Sequence, residues 1–309
     1  GWYYLAVAGY NGANHAEPYT LTVEVNAGPS TQIAGFSVPS FSPPTRTFPS
    51  TTTLILTHRG RLEQRFDQAE VDSFMAKLDA LAAHPAVSGA VIDLAQIPAI
   101  DSAYTGWAQA PTDPTQANYV AATIKAMLAV TRTAYPNLQY LVIAGDDGIL
   151  PFYRVPDEAT MANEAGYNPF TTAGSPLGAA MADSYFFSDD FYGSFNSAVP
   201  WRGRSLYLPG LATGRLVETP AEMGALVDAF LATPSRTVST PLVTGYDFLL
   251  DQAQALVQQF NACGLAPDTL INDHWQAETF VDIWLDQFHD LASINAHFSH
   301  WEAVPAETA

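Results

Sequence analysis

Lysine is almost missing from this chain. Of its 309 residues only Lys77 and Lys125 are lysines, and 12 basic residues in all stand against 31 acidic ones, a formal net charge of −19. Such a surface repels nucleic acid and anionic membranes. It leaves solubility in salty surroundings, divalent-cation sites or a preference for cationic substrates. Cysteine is reduced to Cys263 alone, which excludes an intrachain disulfide, so an extracellular protein of this kind relies on its core and on metal ions. The segment around it, Phe260-Asn-Ala-Cys-Gly-Leu265, reads as the C-terminal end of a helix, where the thiol is expected only to pack. No apolar run approaches the roughly 20 residues of a membrane helix, and no charged n-region precedes an apolar h-region; no membrane insertion is expected. Gly1 stands in mid-pattern, so the chain reads as a processed or truncated piece.

What is present is apolar and broken by turns. Apolar residues make up 48% of the chain and aromatics 12%, which excludes global disorder. The 22 prolines and 20 glycines imply many turns rather than long helical repeats. A chain of this length buries roughly three quarters of its unfolded surface.

Along the chain the pattern changes twice. Residues 1–27 hold two strand-like stretches, 2–8 and 19–25, joined by a turn-rich Gly9-Tyr-Asn-Gly-Ala-Asn14, and two strands form no stable unit alone. Residues 28–53 are rich in Pro, Ser and Thr, with Pro39, Pro43, Pro44 and Pro49 opposing regular structure. From residue 54 strands and helices alternate: strands at 54–57, 89–94, 138–144, 242–246 and 292–298, and helices at 67–83, 118–134, 218–233, 249–263 and 279–288. Thr219 followed by Pro220 marks an N-cap and a first helical position. This alternation predicts a mostly parallel sheet covered on both faces. Residues 151–208 are too long for a simple connection, and loops of that size are usually functional.

Three clusters carry chemistry. Gly145-Asp146-Asp147 follows a strand, where open α/β sheets place their ligands. It is open to reading as a capping carboxylate pair, a cation site or a receiver-like acidic cluster, though no lysine-bearing strand supports the last. Asp183-Ser-Tyr-Phe-Phe-Ser-Asp189-Asp190 is either a solvated acidic turn or, with Asp146 and Asp147, a source of hard oxygen ligands for structural Ca²⁺. His297-Phe-Ser-His300 would share a face and bind zinc on a helix, but the preceding residues read as a strand, whose residues three apart face opposite ways. Structural histidines, a catalytic base and a metal-dependent hydrolase using His297 with His300 all remain readings of it.

Taken in order, these residues resemble the gingipain family of cysteine peptidases, relatives of caspases and clostripain. The resemblance runs through the Gly145-Asp-Asp turn to Pro151, Asp183 with Tyr185, a strand-like 206–212 leading into Gly214-Arg215-Leu-Val-Glu-Thr219, and the final strand with His300. The segment from Tyr4 to Val23 similarly resembles the closing hairpin of β-sandwich accessory domains of secreted bacterial peptidases. The resemblance implies a three-layer caspase-like sandwich over 54–309, preceded by a hairpin remnant and a Pro-rich linker. It further implies an extracellular or cell-surface peptidase acting on peptide or protein substrates, with His300 as base and the backbone N–H of Trp301 at the oxyanion. Asp183 then lines the pocket for a basic residue if its carboxylate is buried. Ser299 and Trp301 stand where the family has glycines. The family's cysteine lies on the next strand, so the nucleophile is expected beyond residue 309. A non-catalytic, Ca²⁺-stabilised surface module with the same fold is the rival expectation.

Overall fold

The computed structural model describes residues 36–160, 163–195, 199–201, 204–235, 237–298 and 303–307. The hairpin at 1–27, the first part of the linker, His300 and Trp301 lie outside the described residues. The chain divides into two compact units, Thr22–Pro234 and Ser235–Ala309 with Gly1–Leu21. Both are mixed α/β, and the parallel strands fall into two sheets, one in each.

The larger unit begins with β1 (Thr53–Thr57), α1 (Arg59–Glu63), α2 (Gln68–Ala83), β2 (Gly89–Asp93), α3 (Pro98–Gln109), α4 (Pro114–Thr131) and β3 (Tyr140–Ala144). An insert follows, with β4 (Tyr153–Pro156), α5 (Pro176–Ala182), β5 (Tyr185–Ser188), α6 (Asp190–Gly193), β6 (Val199–Trp201) and β7 (Arg204–Leu206). The unit closes with β8 (Ala212–Leu216) and α7 (Pro220–Ala232). The sheet order is β2-β1-β3-β8, parallel throughout. Leu54 pairs with Leu141 and Leu56 with Ile143, and all four are fully buried. On the other face of the same strands Thr53, Tyr140 and Val142 meet Leu81 of α2 and Leu226, Val227 and Phe230 of α7 around an apolar cleft of about 420 Å³. Strands buried on both faces read as continuous apolar runs, which is why 54–57 is legible as a strand.

Caps behave as their chemistry dictates. Thr219 accepts from the backbone of Glu222 (3.2 Å) while the Glu222 carboxylate accepts from the Thr219 N–H (3.1 Å), with Pro220 at the first helical position, a reciprocal capping box. Gly145 has φ of +139°, and a Cβ there would lie 2.5 Å from the side chain of Ile149, so the turn leaving β3 requires glycine.

The smaller unit runs β9 (Pro241–Gly245), α8 (Leu250–Ala262), β10 (Asp268–Ile271), α9 (Ala277–Phe280) and a π-turn at Val281–Leu285. It ends with β11 (Leu291–Ser293), β12 (His297–Phe298) and β13 (Ala303–Val304). Its parallel sheet has the order β10-β9-β11, while β12 and β13 form an antiparallel pair. Tyr246, Trp275 and Phe280 supply its buried aromatic centre.

Several expectations change. The predicted strand 292–298 is two pieces, because Asn295 turns the chain by donating its N–H to Thr244 Oγ1 (3.1 Å) and its amide to Thr244 O (2.9 Å). The strand expected at 206–212 lies at Ala212–Leu216 instead, so Gly214-Arg215-Leu216 is ladder rather than turn, paired to Val142, Ile143 and Ala144 of β3. The helix expected over 279–288 is one α-turn followed by a π-turn. The linker's residues 36–52 carry no regular element from Ser37 on, yet they pack: Phe36 stacks on Tyr119, Phe48 on Tyr135, and Phe48 N–H donates to Ala134 O (2.7 Å). Cys263 does cap α8, but it is exposed rather than packed in the core.

Candidate functional site

In a parallel sheet whose first connection goes one way and the next goes the other, the carboxyl ends of the two diverging strands leave a crevice where ligands bind. Each unit has one. In the larger unit it lies between β1 and β3, and in the smaller between β9 and β11.

The β1/β3 crevice is occupied by arginines. His58 directly follows β1 and N-caps α1, its Nδ1 accepting from the Arg61 N–H (3.2 Å). That acceptance puts the ring proton on Nε2, which is buried with no hydrogen-bond partner among the described residues. The ring is 3% exposed and packs edge-on against Tyr104 (4.6 Å). Burial first, and the Arg61 cation second, hold its pKa below 6.5. Arg61 lies over Tyr104 (4.8 Å) and Trp107 (5.3 Å) and donates Nε to Gly148 O (2.5 Å).

Three of the acidic residues expected to bind Ca²⁺ are committed to guanidinium groups. Arg65 grips Asp146 with two bonds of 2.6 and 2.7 Å. Arg154, 1% exposed, donates to Asp147 Oδ2 (2.7 Å), while Asp147 Oδ1 accepts from the Phe152 N–H (3.0 Å). Arg215 grips Asp189 at 2.8 and 2.6 Å. Asp190 is exposed in the first turn of α6. Buried carboxylates persist when paired and hydrogen-bonded, so the cluster stitches the turn after β3 to the insert. Asp183 is exposed at the C-cap of α5. The buried carboxylate required for a pocket selective for basic residues is therefore not met by its surroundings.

The β9/β11 end is different in kind, with Asp247, Phe248 and His297 exposed around the buried Tyr246. Tyr246 and Asp247 leave β9. Tyr246 Oη accepts from the His297 N–H (3.1 Å) and donates to Val304 O (2.8 Å). His297 Nε2 stands 3.6 Å from Asp247 Oδ2, and its ring meets those of Tyr246 and Phe248 at 5.3 Å each. The expectation that His297 turns away to the far side of a sheet is thus corrected: it lies on a separate two-residue strand, against the exit of β9. Asp247 N–H donates to Asp273 Oδ1 (2.7 Å), and His274 Nδ1 lies 3.1 Å from Glu307 Oε1. Among the described residues no group of three or more His, Cys, Asp or Glu has the arrangement to hold a metal ion. The arrangement present can orient an imidazole through a carboxylate.

His58 is absent from the sequence-based set of candidates. Its signal is nonetheless there: a histidine placed directly after a buried apolar strand, the same logic that picks out His300.

The fold and the crevices define a mixed α/β protein with mostly parallel sheets. No described helix is long and apolar enough to cross a membrane. In comparison with known proteins, the chain matches no family profile, no curated sequence and no solved structure.

Proposed function

We propose that this protein is an extracellular or cell-surface cysteine peptidase of the gingipain type, in which the carboxyl ends of β9 and β11 form the floor of the site and His300 is the base. One observation carries the reading: the segment following β11 is tied to the exit of β9 by Asn295 and by the His297 N–H on Tyr246, at the point where the strand order reverses. A thiol is only a few per cent thiolate at neutral pH, and a nearby imidazole activates it and later protonates the leaving amine. Backbone donors, with Trp301 N–H as the candidate, stabilise the tetrahedral oxyanion. Cys263, exposed at the end of α8, is not the nucleophile of this reading, which calls for a cysteine on a strand following His300. Peptide or protein chains are the substrate class.

The test uses the full-length gene product with fluorogenic peptides and a thiol-directed inhibitor. Inhibitor-sensitive cleavage that His300→Ala lowers by several orders of magnitude, in a protein that still melts cooperatively, is the expected result. Cleavage lost with His297→Ala and kept with His300→Ala moves the base by three residues. No thiol-dependent cleavage in a well-folded protein leaves the second reading, a non-catalytic binding module.

A further inference from the structure

Cations among the described residues mostly end on carboxylates: Arg59, Arg65, Lys77, Arg154 and Arg215 each have one within 2.8 Å. Lys125 does not. It lies in the middle of α4, largely buried, with Nζ 4.1 Å from the centre of the Phe191 ring and 4.7 Å from that of Tyr207. The platform is built: Phe191 stacks on Tyr153 at 3.9 Å and meets Tyr207 edge-on at 4.8 Å, and Tyr207 and Tyr153 hydroxyls are 3.5 Å apart.

The elements packed on α4 carry few groups that titrate. They are Asp101 and Tyr104 on α3, Tyr153 and Arg154 on β4, Asp190 and Tyr192 on α6, and Arg132 in the turn after α4, with Tyr207 beyond β7. No carboxylate among the described residues pairs with Lys125. Ring faces attract an ammonium, but they replace only part of the hydration lost. Burial without an opposing charge brings the amine from 10.5 to about 8.

We propose that Lys125 is a covalent modification site whose ε-amine takes an acyl group from an activated donor of the thioester or acyl-phosphate class. The lone pair of the neutral amine attacks the acyl carbon, and the tetrahedral adduct collapses as the carbon–sulfur or carbon–phosphate-oxygen bond breaks. The departing thiolate or phosphate leaves with the electron pair, the amine's proton passes to it or to water, and an amide remains. Nothing is oxidised or reduced. The amide removes a buried charge, and its acyl group lies against the half-buried Tyr207.

The chain suits a clean test because it has just one other lysine, Lys77, which is paired with Asp228 at 2.6 Å. The folded protein is incubated at pH 7.5 with acetyl phosphate and, separately, with a simple acetyl thioester, and both lysines are followed by peptide mass spectrometry. Acylation of Lys125 at least about tenfold faster than Lys77 is expected, because the Lys77 ammonium is held by Asp228 whereas Lys125 has no carboxylate partner among the described residues and its burial favours the neutral, nucleophilic amine. The rate should rise with a midpoint near the value given above, and the advantage should vanish in denaturant. Reaction with one donor alone names the donor class. Equal rates, an ordinary lysine midpoint, or a preference that persists in denaturant overturns the proposal.

Discussion

Arg215 and Asp189 meet through two bonds of 2.8 and 2.6 Å, and the same guanidinium spends Nη1 on the carbonyls of Gly145 (2.6 Å) and Leu150 (2.9 Å). A residue of the edge strand β8 thereby closes the turn that leaves β3 and ties it to the insert. Its plane also lies 3.9 Å over the Phe152 ring.

Breaking that pair leaves a largely buried charge unpartnered. Arg215→Met and Asp189→Asn are each expected to cost about 3–5 kcal/mol. Arg215→Lys should recover little, since an ammonium cannot make the two-pronged contact and span two carbonyls. Denaturant unfolding reads all three, and a loss below about 1 kcal/mol, the range of exposed pairs, would show that the clamp is cosmetic.

Calcium gives a sharp outcome at the acidic turns. With Asp146, Asp147 and Asp189 engaged by Arg65, Arg154 and Arg215, a cation must displace an arginine to bind. Melting temperature is therefore expected to be the same in chelator and in millimolar Ca²⁺. A bound ion at a hundredfold excess over its dissociation constant would add about 2.7 kcal/mol, so a rise abolished by Asp189→Asn would return these carboxylates to cation binding.

His58 makes stability fall on the acid side. Its folded pKa lies below the ordinary 6.5 because burial and Arg61 oppose the charged form, so below that value the unfolded chain binds the proton more readily. Its contribution is complete above about pH 6.5 and declines as pH falls towards the folded pKa. Between pH 7 and 5 the His58→Asn variant should lose less stability than the parent, measured by chemical unfolding at each pH. Parallel curves would show that His58 protonates freely in the folded protein.

Cys263 is exposed, so one equivalent of a maleimide should add to the native protein without lowering its melting temperature. Protection of the thiol until unfolding would place it in the packing first expected of it. In the full-length product Cys263→Ser should leave any peptide cleavage unchanged.

What the sequence determined by itself is the set of elements whose cause is local. The apolar run of β1, the helical spacing of α2, α4 and α8, and the Thr219-Pro220 start of α7 depend on neighbours within a turn or a cap, and each lies within a few residues of its expected position. Helix α3 is absent from the expected elements, although Ile100, Ala103, Tyr104 and Trp107, its buried face, are spaced as one helical stripe behind Pro98. Tertiary structure alone decided where the charges went. Asp146 meets Arg65 across 81 residues of chain, Arg215 meets Gly145 across 70, and Asn295 reaches Thr244 across 51. An acidic turn with no nearby lysine reads as a cation site, because the sequence gives no sign of the distant arginines that meet it. Likewise β11 reads on into His297 until Asn295 finds a partner on β9, because a hydrogen bond between strands leaves no trace in the periodicity of either one.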